Sequence, residues 1–371
     1  MERWTREDID RITADVAATP QLQQQLLANA SADMKFADRL AHQYQIAGGR
    51  VCLKISTELP ALLDGVGLFK AGAEYQGVGR VSTGMGCPHR ETVPDFLGLR
   101  LAFMTDQGQR VDLIGINDPT APTDTHVEFM KLLAATVAAA GRGAAAGAAV
   151  LAGSLIGSAG MCRGAKIFAH VTKQTARTAL SSTAYQTYWT GIVETGGSLG
   201  KCVIAPARIE NRARNLTAEA TYLTDEWRVR QAKAPIEFHV YWIPFIDEEH
   251  TPRATLTRAW KEERQLIARA TFPAIDYRTG EAVLWAILAA EMGANPGNWV
   301  RDRANGIPLP ETEFGLARKI AYEKSQQGRG VLPEADYLHV FSGGEIGDVL
   351  AAELRRRREA KRARGHADGA E

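Results

Sequence analysis

Apolar positions recur at helical spacing over residues 5–45: Ile9, Ile12 and Val16, then Leu22, Leu26 and Leu27. Thr5-Arg-Glu-Asp has the form of a capping box, and Thr19-Pro20 predicts a break between two amphipathic helices. The period then changes to two. Residues 51–56 alternate and predict a strand, as do residues 236–244. Residues 60–69 predict a short helix and a turn. Residues 132–165 are rich in Ala and Gly, and the nineteen residues from Gly143 to Met161 carry no charge. That length approaches a bilayer span. Ala and Gly are only mildly apolar, however, and Arg142 and Arg163 bracket the stretch. Two closely packed helices, and no membrane span, are therefore expected, since small residues let backbones approach. Short alternating strands between turns, with helices before and after, predict an α+β chain built on a closed antiparallel β-barrel.

Composition narrows the function classes. The 371 residues are 45% hydrophobic, enough for a sizeable core. The 44 Lys and Arg nearly balance 43 Asp and Glu, so no global field points to nucleic acid or to a charged membrane surface. The exception is the basic run from Arg355 to Arg364, read as a solvated helical tail, with a docking tail as the alternative. Cys52, Cys87, Cys162 and Cys202 form no C-x-x-C pair and no zinc spacing. A reduced, cytoplasmic chain follows, and the charged first residues carry no apolar signal segment. There is no internal repeat, no G-x-G-x-x-G and no P-loop.

The candidate chemistry centres on Arg318-Lys-Ile-Ala-Tyr322, with Arg329 seven residues further on. Arg318 and Tyr322 share one face of a helix. A phenolate can ligate ferric iron; a free phenol ionises near ~10, and an adjacent guanidinium favours the anion. A second arginine can pair with a carboxylate such as a haem propionate. The competing reading is a solvated basic helix with one buried aromatic.

The motif resembles the proximal helix of the haem catalase superfamily, Arg-x-x-x-Tyr with an arginine seven residues after the tyrosine, and tyrosine is the axial ligand of catalases. Further segments resemble the family in order. Arg39-Leu-Ala-His42 followed by Gly48-Gly49 is similar to the entry into the barrel, with His42 as the distal acid/base, or Tyr44 in its place. Gly79-Arg80-Val-Ser82-Thr83 resembles Arg-Phe-Ser-Thr. Residues 95–105 resemble Asp-x-Arg-Gly-Phe-Ala-Val-Lys-Phe-Tyr-Thr, with Leu97 at the arginine and Gly98 kept. Residues 111–117 resemble Trp-Asp-Leu-Val-Gly-Asn-Asn, with Ile116 at the first asparagine and Asn117 read as the distal one. The phenylalanines that follow in the family are absent. Residues 186–190, 200–206, 259–263 and 294–299 resemble later segments, so the likeness covers roughly residues 35–330.

The resemblance implies haem b, with Tyr322 on its iron, His42 and Asn117 acting on the peroxide, and Arg39, Arg80, Ser82, Arg318, Tyr322 and Arg329 around the cofactor. It divides the chain into an N-terminal helical segment (1–34), a haem-binding barrel with helices (35–335) and a basic C-terminal tail (336–371). Too few residues follow for the flavodoxin-like C-terminal domain. A small homo-oligomer is the expected assembly. Three functions fit: an oxidoreductase acting on hydrogen peroxide (catalase or peroxidase), a haem enzyme acting on organic or lipid hydroperoxides, or a non-catalytic haem-binding or haem-free relative.

Overall fold

The computed structural model describes residues 4–29, 39–84, 91, 93–176, 182–195, 198–208, 221–298, 312–327, 331, 337–349, 351 and 355. Arg329 and all but the first residue of the basic run lie outside the described residues. Two helices come first, α1 (Arg6–Asp15) and α2 (Thr19–Asn29). The capping box forms as predicted: Thr5 Oγ1 accepts from the Asp8 N–H at 3.1 Å, and Asp8 Oδ2 accepts from the Thr5 N–H at 3.1 Å.

The barrel strands are β1 (Gln45–Ile55), β2 (Glu74–Thr83), β3 (Leu97–Met104), β4 (Arg110–Ile116), β5 (Tyr188–Thr190), β6 (Val193–Thr195), β7 (Ser198–Pro206), β8 (Ile236–Pro244) and β9 (Gln265–Phe272). Their order is β5-β4-β3-β2-β1-β9-β8-β7-β6, and β5 also pairs with β7. That last pairing closes eight antiparallel strands into a barrel, with β6 as a short outrigger on β7. Strand alternation sends Leu53, Val81, Leu99, Leu113, Ile204 and Phe238 into one buried interior cluster. The opposite residues of β2–β4 face outwards: Arg80 and Ser82, Gly98 and Arg100, Asp112, Ile114 and Ile116.

The helices are α3 (His126–Ala139), α4 (Ala144–Ala159), α5 (Met161–Ala176), α6 (Tyr222–Lys233), α7 (Gly280–Glu291), α8 (Glu313–Gln327) and α9 (Leu338–Phe341). The uncharged stretch forms α4, packed with α3 and α5. No helix among the described residues is long and apolar enough to cross a membrane. α7 and α9 cover the outer face of the sheet, where Val78 and Ala102 meet Trp285, Leu288 and Phe341. Buried Glu91 caps α6, its carboxylate accepting from the N–H groups of Leu223 (2.5 Å) and Thr224 (2.9 Å).

Two local expectations are corrected. The first strand starts at Gln45 and not at residue 51, because it runs through Gly48-Gly49 after a register shift between Gln45 and Ala47. Residues 60–69 form turns closed by a bridge between Val66 and Phe69, with no helix.

Candidate functional site

The strand register sets two rows across the outer wall of the barrel. Ser82 pairs with Gly98 and Gly98 with Ile116; Arg80 pairs with Arg100 and Arg100 with Ile114. His42 lies over the first row. Its Nδ1 is 3.3 Å from Ser82 Oγ, and a Cβ on Gly98 would stand 2.5 Å from that nitrogen. Glycine at 98 is what lets the imidazole lie on the strand. His42 has φ 57°, the one positive φ of a described residue other than glycine. Both of its backbone groups are tied: its N–H donates to Gly84 O (3.1 Å), and its carbonyl accepts from Arg80 Nη2 (2.7 Å). A strained backbone held by hydrogen bonds is a common mark of a functional residue.

The ring is packed among protein atoms and surrounded by positive charge. Burial, then the Arg80 guanidinium, push the His42 pKa down to about 4; Arg318 and Arg39 add to this, and Asp95 opposes it. His42 is therefore neutral at pH 7. Asp95 also shapes the site mechanically, accepting from the Gly84 N–H (2.9 Å) and the Phe96 N–H (2.6 Å). Replacing Gly98 by alanine is expected to displace the imidazole and return its titration towards the ordinary 6.5; an NMR titration of His42 checks this, and an unmoved value near 4 would contradict the seat.

Helix α8 approaches the same wall. The Arg318 guanidinium carbon is 6.0 Å from the Tyr322 ring centroid, and a Cβ on Gly191 would stand 2.6 Å from Arg318 Nη1. Ile114, Thr190, Gly191, Ile192, Pro296 and Arg318 line a small cleft here, with a cavity volume of about 20 Å³. Buried Asp112 holds the segment leading towards α8. It accepts from the Asn295 N–H (3.1 Å) and Asn298 Nδ2 (2.9 Å), and pairs with Arg110 at 3.0 Å.

The other expected site residues are placed as follows. Arg80 donates to the carbonyls of His42 and Gln43 and, through Nε, to Gln45 Oε1, so it braces the His42 backbone. Arg39 Nη2 donates to Ala290 O at the end of α7. Asn117 Oδ1 accepts from the Leu97 N–H (2.7 Å), and its Nδ2 reaches Gln186 at 3.4 Å. The amide read as a peroxide anchor thus joins β3 to β4, and the residue in register with Gly98 is Ile116. Tyr44 packs against the interior cluster; burial raises its phenol, with the Thr224 hydroxyl opposing and the Glu91 carboxylate adding to the rise. Asp95, Ile114 and the turn at Gly191 were not singled out from sequence. Asp95 stood inside a quoted motif; nothing local marked the other two.

The donor set fits a ferric haem in kind: a neutral imidazole on the barrel wall, and a phenol beside a guanidinium on α8. No cluster of three or more His, Cys, Asp or Glu suited to a metal ion occurs among the described residues.

The folds of known catalases decide the architecture. A fungal catalase superposes with a TM-score of 0.60 at 14% identity, covering 85% of this chain and 63% of its own. A bacterial catalase gives 0.59 at 18% identity, covering 78% of this chain and 57% of its own. Catalase A from Saccharomyces cerevisiae gives 0.59 at 13% identity, covering 84% and 64%. The chain has a catalase-type fold. It spans less than two thirds of each of these proteins. No protein-family model matches the sequence, and no curated protein matches it. At such identities the likeness concerns the fold, and activity has to be argued from the site.

Proposed function

We propose that the chain is a haem-dependent oxidoreductase acting on hydrogen peroxide, as a catalase or peroxidase, with a tyrosinate-ligated haem b. One observation carries this: a neutral, half-buried imidazole sits on the barrel wall within electrostatic reach of Arg318, one helical turn from Tyr322. Tyr322 would ligate the iron, and Arg39, Arg80 and Arg329 are the candidate partners of the haem carboxylates. When bound, the haem supplies the redox centre at which the O–O bond is cleaved.

The protein's own groups handle protons and orientation. His42 accepts a proton from the peroxide and returns it to the leaving oxygen, which is general acid–base catalysis. Ser82, 3.3 Å from Nδ1, fixes the ring and leaves Nε2 for the peroxide. Arg318, with its guanidinium carbon 6.0 Å from the Tyr322 ring centroid, sets a positive charge beside the candidate ligand. Gly98 and the Arg80 brace hold the imidazole in one place, so little reorganisation remains at the moment of proton transfer.

A second reading, an organic or lipid hydroperoxide as substrate, is favoured by the aliphatic side chains along the small cleft. Ile114, Ile192, Val193 and Pro296 line it, and half-buried Ile116 stands beside Ile114 on the same face of β4. Such side chains offer apolar contact to the hydrocarbon part of an organic hydroperoxide. The two separate on the chain loaded with haemin. A kcat/KM for hydrogen peroxide above that for cumene hydroperoxide supports the first reading, and a reversed ratio supports the second. Turnover of neither leaves a catalase-shaped protein without this activity.

A further inference from the structure

Helix α8 is supported from behind by α1. Ile12 and Val16 of α1 form one buried cluster with Leu316 and Ala317 of α8, and Ile320 packs on its edge. At about 100° per residue, Leu316, Ala317, Ile320 and Ala321 of this cluster centre on a direction roughly 150° around α8 from that of Arg318 and Tyr322. The face that α1 covers is thus nearly opposite the one that carries the candidate ligand.

A ring of polar and charged side chains closes this junction. His126 opens α3 and is 5% exposed. Its Nε2 is 2.8 Å from Asp15 Oδ2 on α1, and its Nδ1 is 3.6 Å from Glu313 Oε1 on α8. Arg11 Nη1 lies 2.6 Å from the same Glu313 oxygen and 3.8 Å from Asp15 Oδ2. The four groups join three helices. None of the four lines the cleft or has a part in the proposed proton transfers.

We propose that His126 is a positioning residue for α8: through Asp15 and Glu313 it locks α1 onto the back of the helix and so fixes where Arg318 meets the barrel wall and where Tyr322 stands one turn further on. The consequence for the ligand rests on the axial role proposed for Tyr322; the lock itself does not.

Hydrogen exchange of the full chain without haemin tests the lock, comparing the parent with His126→Gln and Arg11→Gln. His126→Gln keeps a polar side chain that reaches one carboxylate. Its α1 and α8 amides should exchange roughly tenfold faster or more, with β1–β4 unchanged. Arg11→Gln, on the exposed rim of the ring, should show a smaller change in the same two helices. With haemin added, the tyrosine-to-iron charge-transfer band should weaken in His126→Gln and recover in part in His126→Lys, which places a long hydrogen-bond donor between the two carboxylates. Protection of α8 equal to the parent's, or loosening of α1 alone, would overturn the proposal. So would an unchanged band in a variant whose α8 has loosened. If His126→Gln also loses barrel protection, Arg11→Gln decides by the same criterion. If the parent takes up no haemin, the axial reading of Tyr322 fails and the exchange data still decide the lock.

Discussion

Replacing Asp112 by alanine should cost the folded chain about 3–5 kcal/mol, the usual penalty for breaking a buried ion pair from one side. Asp112 is 0% exposed and joins two parts of the molecule. On its own sheet it meets Arg110 at 3.0 Å and Arg100 at 3.9 Å. Across the gap it accepts from the Asn295 N–H and from Asn298 Nδ2. Alanine removes the acceptor and leaves the positive charges where they are. Asp112→Asn keeps the volume and two acceptor lone pairs, so it should recover part of the loss. Urea unfolding measures both variants. Native-state exchange should show the amides of residues 295–298 opening before those of β4, because that segment hangs on the carboxylate. A cost below about 1 kcal/mol would mean that this contact adds no more than a surface pair does.

The second large effect is on rate. His42→Ala in the haemin-loaded chain should lower peroxide cleavage by roughly 10²–10⁴-fold, the usual contribution of a general acid–base group, with haemin affinity kept. The pH dependence follows from the environment of the ring. The active form is the neutral imidazole, so the rate should stay level down to about pH 5. It should fall as the pH drops through about 4, where His42 gains its proton. An acid limb near 6.5, the ordinary histidine value, would contradict the packed, arginine-flanked ring. Stability responds in the same direction. The unfolded chain protonates His42 near 6.5 and the folded chain near 4, so between these values the unfolded state binds more protons. Folding stability from this group is therefore whole above about 6.5 and declines as the pH falls towards 4.

Much of this site was legible because its parts are local. Strand alternation and the Arg-Val-Ser-Thr segment put Arg80 and Ser82 on one face, and the Arg-x-x-His spacing put His42 nearby. The Arg318–Tyr322 pair needed only helical periodicity. What escaped depended on side-chain direction and on distant contacts. Asn117 matched a motif by position, yet β4 points Ile116 outwards at the row shared with Gly98, and Asn117 turns to the Leu97 backbone. Arg80, read as a propionate partner, also donates to the carbonyls of His42 and Gln43, a brace that no motif announced. Gly48-Gly49 looked like a link between elements; it lies within β1, close to the point where Gln45 donates to Ala286 O of α7. The junction of Arg11 with Glu313 joins residues 302 apart in the chain, beyond any local pattern.

The proposed activity depends first on whether Tyr322 binds haem iron, and the absorption spectrum of the chain titrated with haemin answers this most directly. The expected result is saturation at one haemin per chain, with a Soret band and the charge-transfer features of tyrosinate-ligated ferric haem, and loss of those features in Tyr322→Phe. Absence of saturable uptake, or a Tyr322→Phe spectrum identical to the parent's, would contradict it.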